Sequence, residues 1–406
     1  GGIGIVRISG SNALSLLNKV FRPHIPRQHY TSHTLYYGTV VDHQGQALDE
    51  SLAVYMRAPH TYTREDVVEL HCHGSYLVLQ AVLRSLFTLG CRPAEPGEFT
   101  KRAFLAGRID LTQAEAVLEL LQAQTDGAAR LAVHQLQGHL YERLETIRHQ
   151  LVNFLALLEV AIDFPDDDVE IVNTVEITGQ LQAQVLAPLE ELIAWSDQGK
   201  ILREGVKVVI AGRPNVGKSS LLNALLQEER ALVTPVPGTT RDTIEERIVV
   251  RGVPVCLVDT AGIRMHEDPV EALGIERARK KLEAADFVLF VVDAAAGLTE
   301  RDQDLYRSVC DKAHLVVINK SDLVAVGQLE MIASTVPGAV CIPISAKHHQ
   351  GLDRLLDALF QAIVAGGGQV SEQMTCAPNT RHRAILLRTL EACQRFAQAL
   401  AAGAPV

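Results

Sequence analysis

The chain has no C-x-x-C pair, no long apolar run and no excess of positive charge. Its seven cysteines (Cys72, Cys91, Cys256, Cys310, Cys341, Cys376 and Cys393) are scattered. That is the pattern of reduced thiols in a cytoplasmic protein, not of a disulfide framework or a zinc site. A bilayer span needs ~20 consecutive apolar residues, and FVLFVV at 287–292 is among the longest runs present; no membrane span is expected. Formal net charge is −10. A broad electrostatic grip on nucleic acid is therefore not expected, and a local patch or a basic partner would have to supply one. Aromatics are few and Leu, Val and Ala abundant, the composition of a soluble globular protein. No signal-peptide pattern is present, and GGIGIVRISG opens without a Met, so the natural start is expected upstream.

What is present divides into stretches of different grammar. At 406 residues the chain has room for two or three domains. Residues 1–107 alternate strand-like runs (GIVRIS, TLYYGTVV, SLAVYMRAP, DVVELHCH) with the helix-like YLVLQAVLRSLFTLG, an α+β pattern. Over 108–203 the pattern is helical. Leu136, Leu140, Leu144, Ile147, Leu151, Phe154 and Leu158 mark one face of a long helix, which Pro165 in FPDDD should stop. A second stripe, Leu181, Val185, Leu189 and Ile193, is expected to run to a break at GKI, 199–201. Over 204–365 apolar strands (VKVVIAG, VPVCLVDT, FVLFVVDA, HLVVINK, CIPISA) alternate with amphipathic helices, which predicts a parallel sheet covered on both faces. GGGQ at 366–369 reads as a hinge, and Leu386, Leu390, Cys393, Ala397 and Leu400 restore a helical stripe over 366–406. The expected architecture is an α/β domain inserted into an all-helical one, preceded by an α+β domain.

GRPNVGKSS after VKVVIA fits G-x-x-x-x-G-K-S at Gly212, Gly217, Lys218 and Ser219. Such glycines let backbone N–H groups close around a phosphate, the lysine reaches the β/γ oxygens and the serine ligates Mg²⁺. Alone, the motif could be an ordinary Gly-rich strand-to-helix turn. Order and spacing argue otherwise. GTTRD offers Thr240 to the metal and γ-phosphate, and DTAG supplies Asp259, to hold Mg²⁺ through water, and the Gly262 N–H. NKSD and SAK then end two further strands. Asn319 and Asp322 should read guanine, because one carboxylate can accept from both its ring N–H and its exocyclic amine. Lys320 would lie along the base, and the Ser345–Ala346–Lys347 turn would meet its carbonyl.

One residue is out of place for a hydrolase. Ras-like GTPases follow DTAG with a Gln that orients the attacking water; here it is Ile263, which can do neither half of a hydrogen bond. Carboxylates nearby, Glu267, Asp268 and Glu271, compete for the task, and Glu271 could equally be a solvated acid opening the helix EALGIERARKKLEAA.

The G-domain motifs resemble the GTPases in which an apolar residue replaces that Gln. The flanks GGIGIVRISG, EDVVELHCHG, RPAEPGEFTKRAFLAGRIDLTQAEA, VAIDFPDDD and LREGVKVVIAGRPNVGKSSLLNAL narrow the resemblance to the tRNA modification GTPase MnmE (TrmE) family over essentially the whole chain. The resemblance implies nucleotide contacts from Asn215, Val216, Gly217, Lys218, Ser219 and Ser220. It adds Thr234, Pro235, Val236, Pro237, Gly238, Thr239 and Thr240, then Asp259, Thr260, Ala261 and Gly262. Around the base it implies Asn319, Lys320, Asp322, Ser345, Ala346 and Lys347. It implies Mg²⁺ at Ser219 and Thr240. It implies K⁺ at Asn215, Thr234, Val236 and Thr239, where carbonyl oxygens can replace the hydration shell. A cation there does the work of an arginine finger, roughly 10³–10⁵ in rate, and Glu271 becomes the catalytic carboxylate. Potassium-site closure implies a homodimer.

At the other end, VVELHCHG alternates, so Val68, Leu70 and Cys72 face one way and Glu69, His71 and His73 the other. That polar face suits a ligand pocket or plain solvent. H-x-H lacks a third metal ligand with convincing spacing. The family resemblance implies a reduced folate bound by Arg7, Glu69 and Arg108, with the carboxylate accepting from the pterin and the cations meeting the tail or formyl group; the family often has Lys at position 108. It also implies a flavin-dependent partner of the MnmG (GidA) kind forming a heterotetramer, and modification of the wobble uridine of certain tRNAs at C5. The family's C-terminal Cys-(Ile/Leu)-Gly-Lys motif is absent from LAAGAPV, so a truncated C-terminus is expected. Rival readings are a ribosome-assembly GTPase that binds RNA, whose KH-type or second G domain is not seen here, and a folate-dependent aminomethyl transferase with an added regulatory G domain.

Overall fold

The structure, a computed structural model, describes residues 1–163, 174–228, 245–259, 282–336, 338–367 and 374–402. The chain forms two compact units, Gly1–Leu118 and Glu119–Val406.

The first unit is α+β. Five antiparallel strands, β1 (Ile3–Ser9), β2 (Phe21–Pro23), β3 (Thr34–Val41), β4 (Ala47–Met56) and β5 (Val67–His73), lie in the order β1-β5-β4-β3-β2. Helices α1 (Ala13–Val20) and α2 (Tyr76–Thr88) cover one face, burying Val6, Ile8, Val68, Leu70 and Cys72 with Leu17 and Leu86. The alternation read from VVELHCHG holds: Val68, Leu70 and Cys72 are buried, and Glu69, His71 and His73 are not. The opposite face leaves Ile3, Ile5, Leu35, Tyr37 and Leu52 exposed. Helices α3 (Glu98–Leu105) and α4 (Leu111–Gln122) follow.

In the second unit, α5 (Asp126–Leu136), α6 (His139–Asp163), α7 (Thr174–Leu181) and α8 (Ala187–Glu204) precede the sheet and α13 (Thr380–Ala401) follows it. The long predicted helix is in fact two, broken at Gln137–Gly138 where Gly138 takes φ 99°. Leu136 therefore ends α5 and does not share the stripe of Leu140, Ile147 and Phe154. One core joins the two halves, with Leu140, Leu181, Leu189 and Trp195 packed with Cys376, Leu386, Cys393 and Leu400. The expected break at GKI is also corrected. α8 runs through it to Glu204, and Gly205, at φ 77°, ends the helix. Gly199 is there because a Cβ would collide with Ala377.

Between these halves lies a six-stranded sheet in the order β11-β10-β9-β6-β8-β7. β6 (Val206–Ala211), β8 (Val253–Asp259), β9 (Phe287–Asp293), β10 (His314–Asn319) and β11 (Cys341–Pro343) are parallel. The sixth strand, β7 (Glu245–Val250), is not among the five apolar runs; it pairs antiparallel with β8 at the edge. Helices α9 (Lys218–Glu228), α10 (Glu300–Arg307), α11 (Val326–Ser334) and α12 (Leu352–Gly367) complete the layers. Central strands buried on both faces explain runs such as FVLFVV, whose residues are all at most 3% exposed. Helix α12 continues into the GGGQ stretch read as a hinge, and the rest of that stretch lies outside the described residues. No helix among the described residues is long and apolar enough to cross a membrane.

Candidate active site

Three loops meet at the C-terminal ends of the parallel strands, the edge where open α/β sheets bind ligands. The first joins β6 to α9. Gly212, Asn215 and Gly217 take φ of 148°, 65° and 97°, which glycine adopts freely and asparagine tolerates. Lys218 opens α9 and is buried; its Nζ donates to the carbonyls of Gly212 (2.8 Å) and Arg213 (2.7 Å). Ser219 and Ser220 follow on the exposed first turn.

The second loop leaves β10. Asn319 is buried, its Nδ2 donates to the Val216 carbonyl at 2.9 Å, and its Oδ1 accepts from Ala346 N–H at 3.1 Å. One side chain thus ties the P-loop to the third loop, the Ser345–Lys347 turn after β11. Lys320, at φ 63°, donates from Nζ to the Asn215 carbonyl (3.0 Å) and to Asp293 Oδ2 (2.6 Å). Burial pushes the Asp293 carboxyl up, but Lys320 and the backbone N–H groups of Ala295 and Ala296 outweigh it and hold it below the usual range. Asp293 was not anticipated, although it closes FVLFVV as Asp259 closes VPVCLV. Asp322 stands beside the Ser345 turn, with His348 Nε2 3.7 Å from its Oδ2. The nearby Ser345 hydroxyl, its own backbone and the charges of His348 and Lys347 keep it below the ordinary carboxylate value against some burial.

The donor set fits a nucleotide and a hard cation. An ammonium lies within the loop, a hydroxyl stands on the first helical turn, and an acceptor-only carboxylate lies beyond the buried amide. Asp259 ends β8, on the same edge. Thr234, Pro235, Val236, Pro237, Gly238, Thr239, Thr240, Thr260, Ala261, Gly262, Ile263, Glu267, Asp268 and Glu271 lie outside the described residues.

In the first unit, Arg7 and Glu69 are cross-strand partners. Arg7 Nε donates to Glu69 Oε1 at 2.7 Å, and His71 Nε2 lies 3.1 Å from Oε2. Burial raises the Glu69 carboxyl, but His71 and Arg7 outweigh it, so it sits below its usual value. Arg108 is placed differently, stacked over the Tyr62 ring at 4.9 Å. A cavity of about 780 Å³ is lined by Arg7, Ser9, Lys19, Phe99 and Arg102 among others, and neither Glu69 nor Arg108 is in its wall. Arg102 bonds Glu65 and Glu98 there, both at 2.8 Å. Sequence reasoning missed this pair, whose signal was the i, i+4 spacing of Glu98 and Arg102 in GEFTKRAF.

Comparison with known proteins decides the lineage. Residues 1–108 match the family described as GTP-binding protein TrmE N-terminus, and residues 111–406 match the MnmE helical domain. The chain belongs to the MnmE family. The tRNA modification GTPase MnmE of Desulfotalea psychrophila is 51% identical over 99% of this chain and 87% of that protein. The MnmE of Synechococcus sp. is 44% identical over 100% and 87%. Solved structures overlap a smaller part. An Era variant from Aquifex aeolicus is 32% identical over 39% of this chain and 56% of its own, with a TM-score of 0.33. As a member of the MnmE family, the chain is a tRNA modification GTPase, and its P-loop lies in the inserted α/β part.

Proposed function

We propose that this MnmE-family chain is a potassium-stimulated GTPase. With a flavin-containing partner of the MnmG kind in a heterotetramer, it modifies the wobble uridine of certain tRNAs at C5, using a one-carbon unit from a reduced folate. The observation that carries the GTP part is the Asn319 side chain, which joins the P-loop at Val216 to the base-side turn at Ala346. Phosphate and base contacts are thereby set on one rigid frame. Lys218 reaches the β/γ oxygens, Ser219 with Thr240 holds Mg²⁺, and Asp322 reads the guanine edge. Potassium, held by the Asn215 side chain and carbonyls of the Thr234–Thr239 loop, stabilises transition-state charge, and Glu271 positions the water that Ile263 cannot.

Folate binding finds support in the 780 Å³ cavity, within the usual size range of ligand pockets, and in the Arg7–Glu69 pair at its margin. A homodimer is supported by the uncovered sheet face bearing Ile3, Ile5, Leu35, Tyr37 and Leu52, large apolar side chains that a soluble monomer seldom leaves together. The cysteines are all free, in keeping with a cytoplasmic location.

The deciding experiment is a tRNA modification assay with GTP and a reduced folate, with and without the flavin partner. Modified uridine only in the complete mixture is the expected result. GTP hydrolysis without modification, accompanied by binding to ribosomal particles, would favour an assembly GTPase instead.

A further inference from the structure

Arg213 is the P-loop residue that the nucleotide reading leaves without a task. Its carbonyl accepts from Lys218 at 2.7 Å, while its side chain leaves the loop and donates from Nε to Asp302 Oδ1 at 2.6 Å. Asp302 lies 89 residues away in sequence, on the first turn of α10, and is fully buried. Its other oxygen, Oδ2, accepts from the Thr299 backbone N–H (3.0 Å) and hydroxyl (2.8 Å) in a capping box. One oxygen therefore serves the helix cap and the other serves the P-loop.

The geometry points to Asp302 as a positioning residue for nucleotide binding, which acts through Arg213 by fixing the loop that carries Lys218. A buried carboxylate has few ways to satisfy its charge, so the guanidinium that reaches it is held to one place. Gly212, the residue before it, lies so close to β9 that a Cβ there would run into the Val291 carbonyl. The Arg213–Asp302 bond thus fixes the loop just before Pro214 and Asn215. This inference rests on the P-loop being the GTP site.

Two variants separate positioning from stability. Asp302→Asn keeps an oxygen for the Thr299 cap but turns a donor toward Arg213. Thr299→Ala weakens the cap and leaves the Arg213–Asp302 pair intact. Release of a fluorescent GDP analogue and thermal unfolding are measured for both in the full chain. Asp302→Asn is expected to speed release by about tenfold, while Thr299→Ala lowers the melting temperature but changes release by less than twofold. Arg213→Ala should match Asp302→Asn, and the double variant should add nothing further. If Asp302→Asn does not fold, Arg213→Ala alone carries the test. Unchanged release in the testable variants, or equal acceleration by Thr299→Ala, would overturn the role of Asp302. Failure of the wild type to bind any guanine nucleotide would instead refute the assignment of the site.

Discussion

The amide nitrogen of Asn319 occupies the place that a Cβ on Gly217 would take. Gly217 also has a φ of 97°, which side-chain-bearing residues rarely adopt. Gly217→Ala must therefore either displace a buried amide that bonds Val216 and Ala346 or move the loop. With strain of about 1–3 kcal/mol set against binding, guanine nucleotide affinity should fall roughly 5- to 150-fold. Titration with a fluorescent GDP analogue checks this, and an affinity within twofold of wild type would show that the loop has room to spare.

Asp322 tests the base assignment. Asp322→Asn exchanges one acceptor for a donor, so the variant should lose GTP binding and accept xanthosine triphosphate, whose C2 carbonyl accepts where the C2 amine of guanine donates. Competition between the two nucleotides reads the outcome. A retained preference for GTP would remove Asp322 from the base site.

Glu69 tests the first unit. Glu69→Ala should weaken reduced-folate binding by about 2 kcal/mol, the scale of a lost charge-assisted bond, and leave GTP turnover little changed. The pH dependence has a definite sign. Arg7 and His71 depress the Glu69 carboxyl in the folded protein, so its contribution to stability is complete above the unfolded carboxylate value and disappears as pH falls through the lower folded value. Calorimetry with the variant and the wild type reads the affinity, and wild-type affinity in Glu69→Ala would remove this residue from folate binding.

Ile263 tests the hydrolytic mechanism. If Glu271 and potassium replace the missing Gln, Glu271→Ala should keep nucleotide affinity within a fewfold and lose on the order of 10²–10⁴ in turnover. Sodium should slow the wild type, because the smaller ion fits a carbonyl cage poorly, and Asn215→Ala should abolish the difference between the ions. Single-turnover hydrolysis in each salt separates these effects. Near-wild-type rates for Glu271→Ala would transfer the role to Glu267 or Asp268, and equal wild-type rates in the two salts would end the potassium mechanism.

Much of the architecture was legible because burial leaves a period in the sequence. Glu69 and Leu70 differ in exposure as the alternation of VVELHCHG requires, and FVLFVV is apolar throughout because β9 is covered on both faces. Glycine was the ambiguous letter. Gly138 breaks a helix, whereas Gly199 sits inside one to let Ala377 approach, and only the tertiary neighbour distinguishes them. Edge strand β7 stands out less than its neighbours, since only Ile248, Val249 and Val250 of EERIVV are apolar. The P-loop could be read from spacing alone. Its connections to Asp302 and Asp293 could not, because nothing local in GRPNVGKSS says which distant carboxylate its neighbours will meet.

The shared core of α6–α8 and α13 has a consequence for how the chain is made. Arg203 Nη1 donates to the Ala377 carbonyl at 2.8 Å, across 174 residues of sequence, and Cys376 and Leu386 pack with Leu140 and Trp195. Translation delivers α6, α7 and α8 long before their partners exist, while every strand of the inserted sheet is complete ahead of α13. During synthesis the nucleotide-binding part can thus fold first, leaving the upstream helices with an apolar side uncovered until the last segment leaves the ribosome. A chain released without residues 380–401 would carry every strand of the sheet yet leave the apolar side of α6–α8 without its cover.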